Sequence, residues 1–322
     1  MDRVRTPRAA RVRAGIGFAL ALVLIGAAVY AVVSSRAQIV EAFDRIWPAP
    51  AWLVVTLLVV PAMSWLASAG ALWSLTRRFG RVAPGEMTAL VGSSWLLNYL
   101  PLKPGLVGRL AYHKRVNGIP IRKSARVLVE SVGLTAIAGA LVLAIGLATR
   151  AWPVHVGIEI ALVTAPAVLL GAACLIRPPG ASGGWLLLAM LFRYLDMLVW
   201  IARYWAIFYA LDRPIGLDEC VLIASASQLS VIVPITGNGL GVREWAVGLT
   251  AAAVGGDLQI ALAADLVNRV AEILVAVPIG LLSARLVARR YARREHARSG
   301  AEPNTCAPIA DMPEEDSNPP PC

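Results

Sequence analysis

Residues 93–109 read SSWLLNYLPLKPGLVGR, and residues 225–243 read SASQLSVIVPITGNGLGVR. Each is an apolar run broken by a proline, Pro101 or Pro234, then glycines, then an arginine, Arg109 or Arg243. The flanking sequence is apolar enough for a bilayer interior, where such a break is costly. Exposed backbone or a lone charge at membrane depth is tolerated only where protein or water satisfies it, so broken helices there line cavities. The same break occurring twice predicts a path across the membrane.

The rest of the chain fits that setting. Of its 322 residues, 58% are apolar and only 16% charged, and the mean hydropathy of +0.67 is far above that of a soluble domain. Apolar runs near the roughly 20 residues that cross about 30 Å occur at about 14–33, 51–75, 125–148, 154–176, 184–210 and 260–287. The first follows an arginine-rich start but exceeds a signal-peptide core and lacks a good cleavage site, so it reads as a retained helix. The two broken runs occupy 84–117 and 217–256. The expected fold is an all-α polytopic membrane protein with six full transmembrane helices and two broken, re-entrant helical hairpins.

The net charge of +10 is distributed as a membrane would distribute it. With the N-terminus in the cytoplasm, alternation puts Arg3, Arg5, Arg8, Arg11 and Arg13 on that side. The same side receives Arg77, Arg78, Arg81, Lys114, Arg115, Arg122, Lys123, Arg126 and Arg177. It also receives Arg285, Arg289, Arg290, Arg293, Arg294 and Arg298. The opposite side holds Arg36, Arg45, Arg150 and Arg213. This positive-inside bias places both termini in the cytoplasm. No aromatic-interleaved basic groove is present, which argues against nucleic acid as a partner. Cys174, Cys220, Cys306 and Cys322 form no CxxC or Cys/His cluster, so neither disulfide nor metal is implied.

A hairpin leaves the membrane on the side it entered. Three crossings separate the two hairpins, so they are expected to open from opposite sides, as an inverted repeat. Residues 1–13 then form a basic cytoplasmic N-terminus, 14–148 a first repeat and 154–287 a second. Residues 288–322 form a cytoplasmic, mostly disordered tail rich in polar residues and proline. Inverted repeats with broken helices are a recurrent transporter plan, with the binding site near the midplane.

The breaks suit an anionic ligand. Pro101 and Pro234 end the first half-helices; Gly105, Gly239 and Gly241 allow close backbone approach. The second half-helices aim their positive ends inward, where phosphate is a natural partner. Lys103, Arg109 and Arg243 add charge, Asn98 and Asn238 add amides, and Glu244 pairs with or tunes an arginine. The bland alternative is that glycine and proline only make the turn and Arg109 snorkels to headgroups. On later helices Arg193, Asp196, Trp200 and Arg203 share one face, and Asp265, Asn268, Arg269 and Glu272 form a second polar stripe. These read either as structural ion pairs or as a gating or proton-coupling network, with Glu130 as the candidate in the first repeat. Glu159 and Arg150 are expected to be solvated, and His113 to be a loop residue.

The N-x-x-P…G…R hairpin (Asn98, Pro101, Gly105, Arg109) and the P…G-x-G-x-R-E hairpin (Pro234, Gly239, Gly241, Arg243, Glu244), with Arg269 on the last helix, resemble the lysylphosphatidylglycerol synthase transmembrane-region family. The resemblance covers roughly residues 14–287, and GLGVRE is its sharpest motif. It implies a flippase-like protein of the bacterial inner membrane that moves a lipid between leaflets. This chain has Glu130-Ser131 where many relatives have Glu-Arg, and it lacks the soluble synthase domain of fused members. The expectation is therefore a transporter of an anionic or phosphate-bearing lipid, aminoacylated or glycosylated, with membrane lipids as partners and no cofactor or catalytic residue. The alternatives are a membrane enzyme, or a subunit of one, in lipid-linked sugar or hopanoid-type lipid biosynthesis, and an assembly partner of another membrane enzyme. A homo-oligomer is compatible with any of these.

Overall fold

The computed structural model describes residues 50–98, 104–181, 183–232 and 242–299, with side chains to residue 292. The run at 14–33, the two termini, and Pro101, Lys103, Pro234, Asn238, Gly239 and Gly241 lie outside the described residues. Those described fold into nine helices and no strand. They are α1 (Ala51–Arg77), α2 (Pro84–Leu97), α3 (Pro104–Val116), α4 (Ile121–Ala151), α5 (Val156–Ile176), α6 (Gly184–Ala210), α7 (Leu217–Ile232), α8 (Val242–Ala253) and α9 (Leu258–Ser299).

Proline sets several of the starts. Pro84 and Pro104 are first residues of their helices, and Pro50 and Pro120 immediately precede α1 and α4. At these positions the missing N–H costs nothing and the fixed φ favours the turn. Five helices, α1, α4, α5, α6 and α9, are long and apolar enough to cross a membrane, and they fall on five of the six expected runs. The α9 helix continues to Ser299, past residue 287, because the added segment is rich in alanine and arginine, which favour helix. The hairpin helices have 14 and 13 residues in the first pair and 16 and 12 in the second. None is long enough to cross alone.

The α6 helix is the hub, packed against α1, α4, α5, α7 and α9. It carries much of the main core, including Tyr194, Met197, Ile201, Ile207 and Phe208. It runs antiparallel to α1, and aromatic pairs join both ends of the two helices. Trp73 meets Trp185 edge-on at one end, and Trp52 meets Tyr209 at the other. Twenty-one residues separate Trp52 from Trp73, about 32 Å of helix. That matches the hydrocarbon thickness of a bilayer, whose interfaces tryptophan and tyrosine favour.

The long helix α4 spans from the base of one hairpin to the base of the other. Near its start Glu130 pairs with Arg78 and Arg126, beside the first hairpin's base, where Val82 and Ile119 are buried together. Near its end Arg150 Nη1 donates to Asp218 at 2.8 Å and Nη2 to the Val254 carbonyl, which bracket the second hairpin's base. Arg126 and Arg150 are 24 residues apart, about 36 Å along the helix. Packing is reciprocal: α4 lies on α7 and α9 lies on α2. Both seams use glycine, since a side chain at Gly139 or Gly146 would meet Leu229 or Val221, and one at Gly92 or Gly280 would meet Ser283 or Leu96. Small residues let helices approach closely where lipid supplies no hydrophobic drive.

Within the first hairpin, Ser94 Oγ donates to the Gly105 carbonyl at 3.0 Å. A β-carbon at Gly105 would press on the Ser94 carbonyl oxygen, whereas one at Gly108 meets open space. Gly105→Ala is therefore expected to destabilise by about 1–3 kcal/mol through overpacking. Gly108→Ala should leave stability unchanged or raise it by up to about 1 kcal/mol. Thermal unfolding of both variants in detergent checks the contrast.

Candidate functional site

Between the hairpins lies a cavity of about 290 Å³ lined by residues of α1, α2, α3, α4, α6, α7 and α9. Its polar wall comes from positions an apolar helix can spare: Ser64 and Ser68 one turn apart on α1, Ser131 and Thr135 one turn apart on α4, and Arg193 and Asp196 on α6. Arg193 and Asp196 lie 8 and 11 residues from Trp185, about 12 and 17 Å along α6, near the middle of the helix between its two aromatic pairs. Asp196 accepts hydrogen bonds from Ser64 and Ser68 and lies 3.5 Å from Arg193 Nη1. Arg193 also donates to Ser68 at 3.1 Å and to Ser131 at 2.6 Å. A buried ion pair is tolerable when the remaining donors and acceptors are also matched, and the serines do most of that matching.

A second cluster abuts the cavity through Glu272 and Trp200. Arg243, 1% exposed, donates from Nε to Asp265 at 3.1 Å and from Nη1 to Glu272 at 3.0 Å. Tyr204 donates to Asp265 at 2.7 Å, and Asn268 Nδ2 donates to the same carboxylate at 3.3 Å. Arg203 lies 3.6 Å from Glu272, donates to the Asn268 carbonyl and stacks on Trp200, which Arg243 also faces. Arg269 pairs with Glu244. The adjacent α8 residues Arg243 and Glu244 are thus cross-paired to Asp265 and Arg269, one turn apart on α9.

Arg109 differs from the others. It is 8% exposed and lines the cavity, and no hydrogen bond or ion pair to it is found among the described residues. Within these clusters five arginines (109, 193, 203, 243 and 269) meet four carboxylates (Asp196, Glu244, Asp265 and Glu272). One positive charge is left over. Three more polar atoms on the cavity lining are buried without a partner among the described residues: Arg193 Nε, Trp200 Nε1 and Asn98 Oδ1.

The structure therefore brings Asn98, Arg109, Arg193, Asp196 and Glu272 to one cavity, and Arg203, Arg243, Glu244, Asp265 and Arg269 to the adjoining cluster. Gly105 touches the backbone of α2 rather than the cavity. Glu130 belongs to neither group; it sits with Arg78 and Arg126 at the first hairpin's base, where burial and then Arg126 lower the Arg78 pKa. Two residues differ from their sequence reading. Glu159 is buried beside Thr149 instead of solvated, and His113 is a buried helix residue within 3.1 Å of the Asn117 amide. Sequence reasoning overlooked Ser64, Ser68, Ser131, Tyr204 and Gln228. The i,i+4 serines on an otherwise apolar α1 are the signal that pointed to a polar face.

No family model, curated protein or solved structure matches the chain.

Removing one partner of a buried ion pair strands the other, so Arg243→Gln is expected to cost about 3–5 kcal/mol. Arg109→Gln strands no carboxylate and removes a buried charge, so it should leave stability unchanged or raise it. Parallel thermal melts in detergent read the difference.

Proposed function

We propose that the chain is a membrane carrier of the flippase type, moving an anionic or phosphate-bearing lipid between leaflets through the cavity between its two hairpins. The observation that carries this reading is the buried Arg109 on the wall of a polar cavity, with no counter-ion among the described residues. A charge held there without a counter-ion is costly, and function is the usual reason it persists.

The packing supports an inverted repeat. Exchanging α1 with α6, α2 with α7, α3 with α8 and α4 with α9 turns the packing partnerships among these eight helices into one another: α4 on α7 becomes α9 on α2, and α1 on α2 becomes α6 on α7. The α1–α6 pair maps onto itself. The hairpin bases lie at opposite ends of α4, as expected if one hairpin opens from each side. Under this reading 14–33 is the sixth span and the counterpart of α5. The Arg243 cluster closes the path on the second hairpin's side, and the basic residues around Arg77, Arg78 and Arg126 mark the first hairpin's side as cytoplasmic. Transport then requires the α8–α9 ion pairs to open as the first hairpin closes, the rocking of two halves expected of inverted repeats.

Reconstituted into vesicles carrying a trace of headgroup-intact, tail-labelled phosphatidylglycerol, the protein is expected to speed exchange between leaflets, read by quenching of the outer leaflet. Arg109→Gln should slow that exchange about tenfold or more, equivalent to roughly 1.4 kcal/mol of barrier. Exchange no faster than in protein-free vesicles, or unaffected by Arg109→Gln at equal protein content, would sink the carrier reading.

A further inference from the structure

The two hairpin arginines are expected to be equivalent, yet their surroundings differ in one respect. Arg243 is followed 22 and 29 residues later by its carboxylate partners, Asp265 and Glu272. The same steps from Arg109 arrive at Ser131 and Ala138. Arg269, 26 residues after Arg243, corresponds to Thr135. Helix α4 follows α3 as α9 follows α8, and Ser131 and Thr135 line the cavity that Arg109 faces. One half neutralises its arginine with its own carboxylates. The other presents hydroxyls and a methyl group in their place.

We infer that Arg109, Arg193 and the Trp200 indole form a binding site for a single oxyanion, a phosphate or phosphodiester, whose charge substitutes for the carboxylates absent from positions 131 and 138 of α4. Every unsatisfied group but one supports an acceptor-rich ligand. Arg109 has no partner among the described residues, and Arg193 Nε and Trp200 Nε1 are buried donors without acceptors. Two guanidinium groups facing one cavity repel until an anion lies between them, and a planar fork suits phosphate oxygens. Ser131, already an acceptor for Arg193 at 2.6 Å, holds that side chain in place. The exception, Asn98 Oδ1, is an acceptor and suits a hydroxyl on a headgroup. Arg243 has no part in the site: it lies outside the cavity lining and is ion-paired to Asp265 and Glu272, so only one of the two repeated arginines contacts the ligand. This inference rests on the repeat correspondence used above, but its test is binding rather than transport.

The test restores the missing carboxylate. Wild type, Ser131→Asp, Ser131→Ala and Arg243→Lys are purified as full chains, and melting is followed with inorganic phosphate in detergent and in nanodiscs of phosphatidylcholine with or without phosphatidic acid. Wild type should gain melting temperature with an oxyanion, and Ser131→Ala should gain less, because Arg193 loses the acceptor that holds it. Ser131→Asp should melt no lower than wild type without ligand and bind about tenfold or more weakly, as expected for loss of a charge-assisted contact. Arg243→Lys should melt lower but keep the gain. A gain with phosphatidic acid alone identifies a lipid headgroup as the source, and a gain with inorganic phosphate as well identifies free phosphate as a ligand. No gain for wild type with either probe, an undiminished gain in Ser131→Asp, or a gain lost in Arg243→Lys would each overturn the site. Binding without leaflet exchange would leave the site standing and remove the carrier reading; exchange without binding would do the reverse.

Discussion

A guanidinium in a low-dielectric interior keeps its charge only if carboxylates, hydrogen-bond acceptors or water replace its hydration, because its pKa is too high for proton loss to be an escape. At Arg243 two carboxylates do this from one helix, α9, and they need partners of their own. Asp265 takes Tyr204 and Asn268; Glu272 takes Arg203. The need to neutralise one arginine thus fixes the mutual position of α6, α8 and α9. The charge cluster is oriented by the same glycine-lined seams that bring the long helices against the hairpins. Packing and electrostatics constrain the same contacts.

The two hairpins are anchored by different contacts. The second hairpin meets α9 through cross-paired charges and α4 through a glycine seam, whereas the first meets α9 through a glycine seam and apolar contacts and α4 through apolar contacts. An ion-paired contact exchanges between discrete partners; a glycine contact slides.

Much of this organisation was legible in the sequence. Five spans follow directly from hydropathy, and the hairpin limits near 84 and 217 follow from Pro84 and from the acidic start of α7 at Asp218 and Glu219. The polar faces of α6 and α9 were legible as well, because helical periodicity gathers Arg193, Asp196 and Arg203, or Asp265, Arg269 and Glu272, on one side. Partnership was not. Periodicity says which face a residue occupies, but only tertiary packing decides that Glu130 meets Arg78, 52 residues away, or that Arg243 is ion-paired to two carboxylates while Arg109 has none among the described residues. Burial of Glu159 and His113 escaped for the same reason, since both lie near helix ends where sequence suggests solvent. The serines on α1 were missed because a hydroxyl in an apolar helix can also satisfy its own backbone, as Ser74 does with the Gly70 carbonyl.

The aromatic pairs at the two ends of α1 and α6 have a further consequence. Because Trp52 and Trp73 are tied to a partner helix, the distance between their rings is set by the fold and acts as a ruler of about 32 Å. A bilayer with a core near 27 Å would fit it only by tilting the α1–α6 pair about 30° or by swelling locally around it. Bilayer thickness thereby becomes a force on the helix pair at the centre of the molecule. Lipid chain length would load or unload that pair.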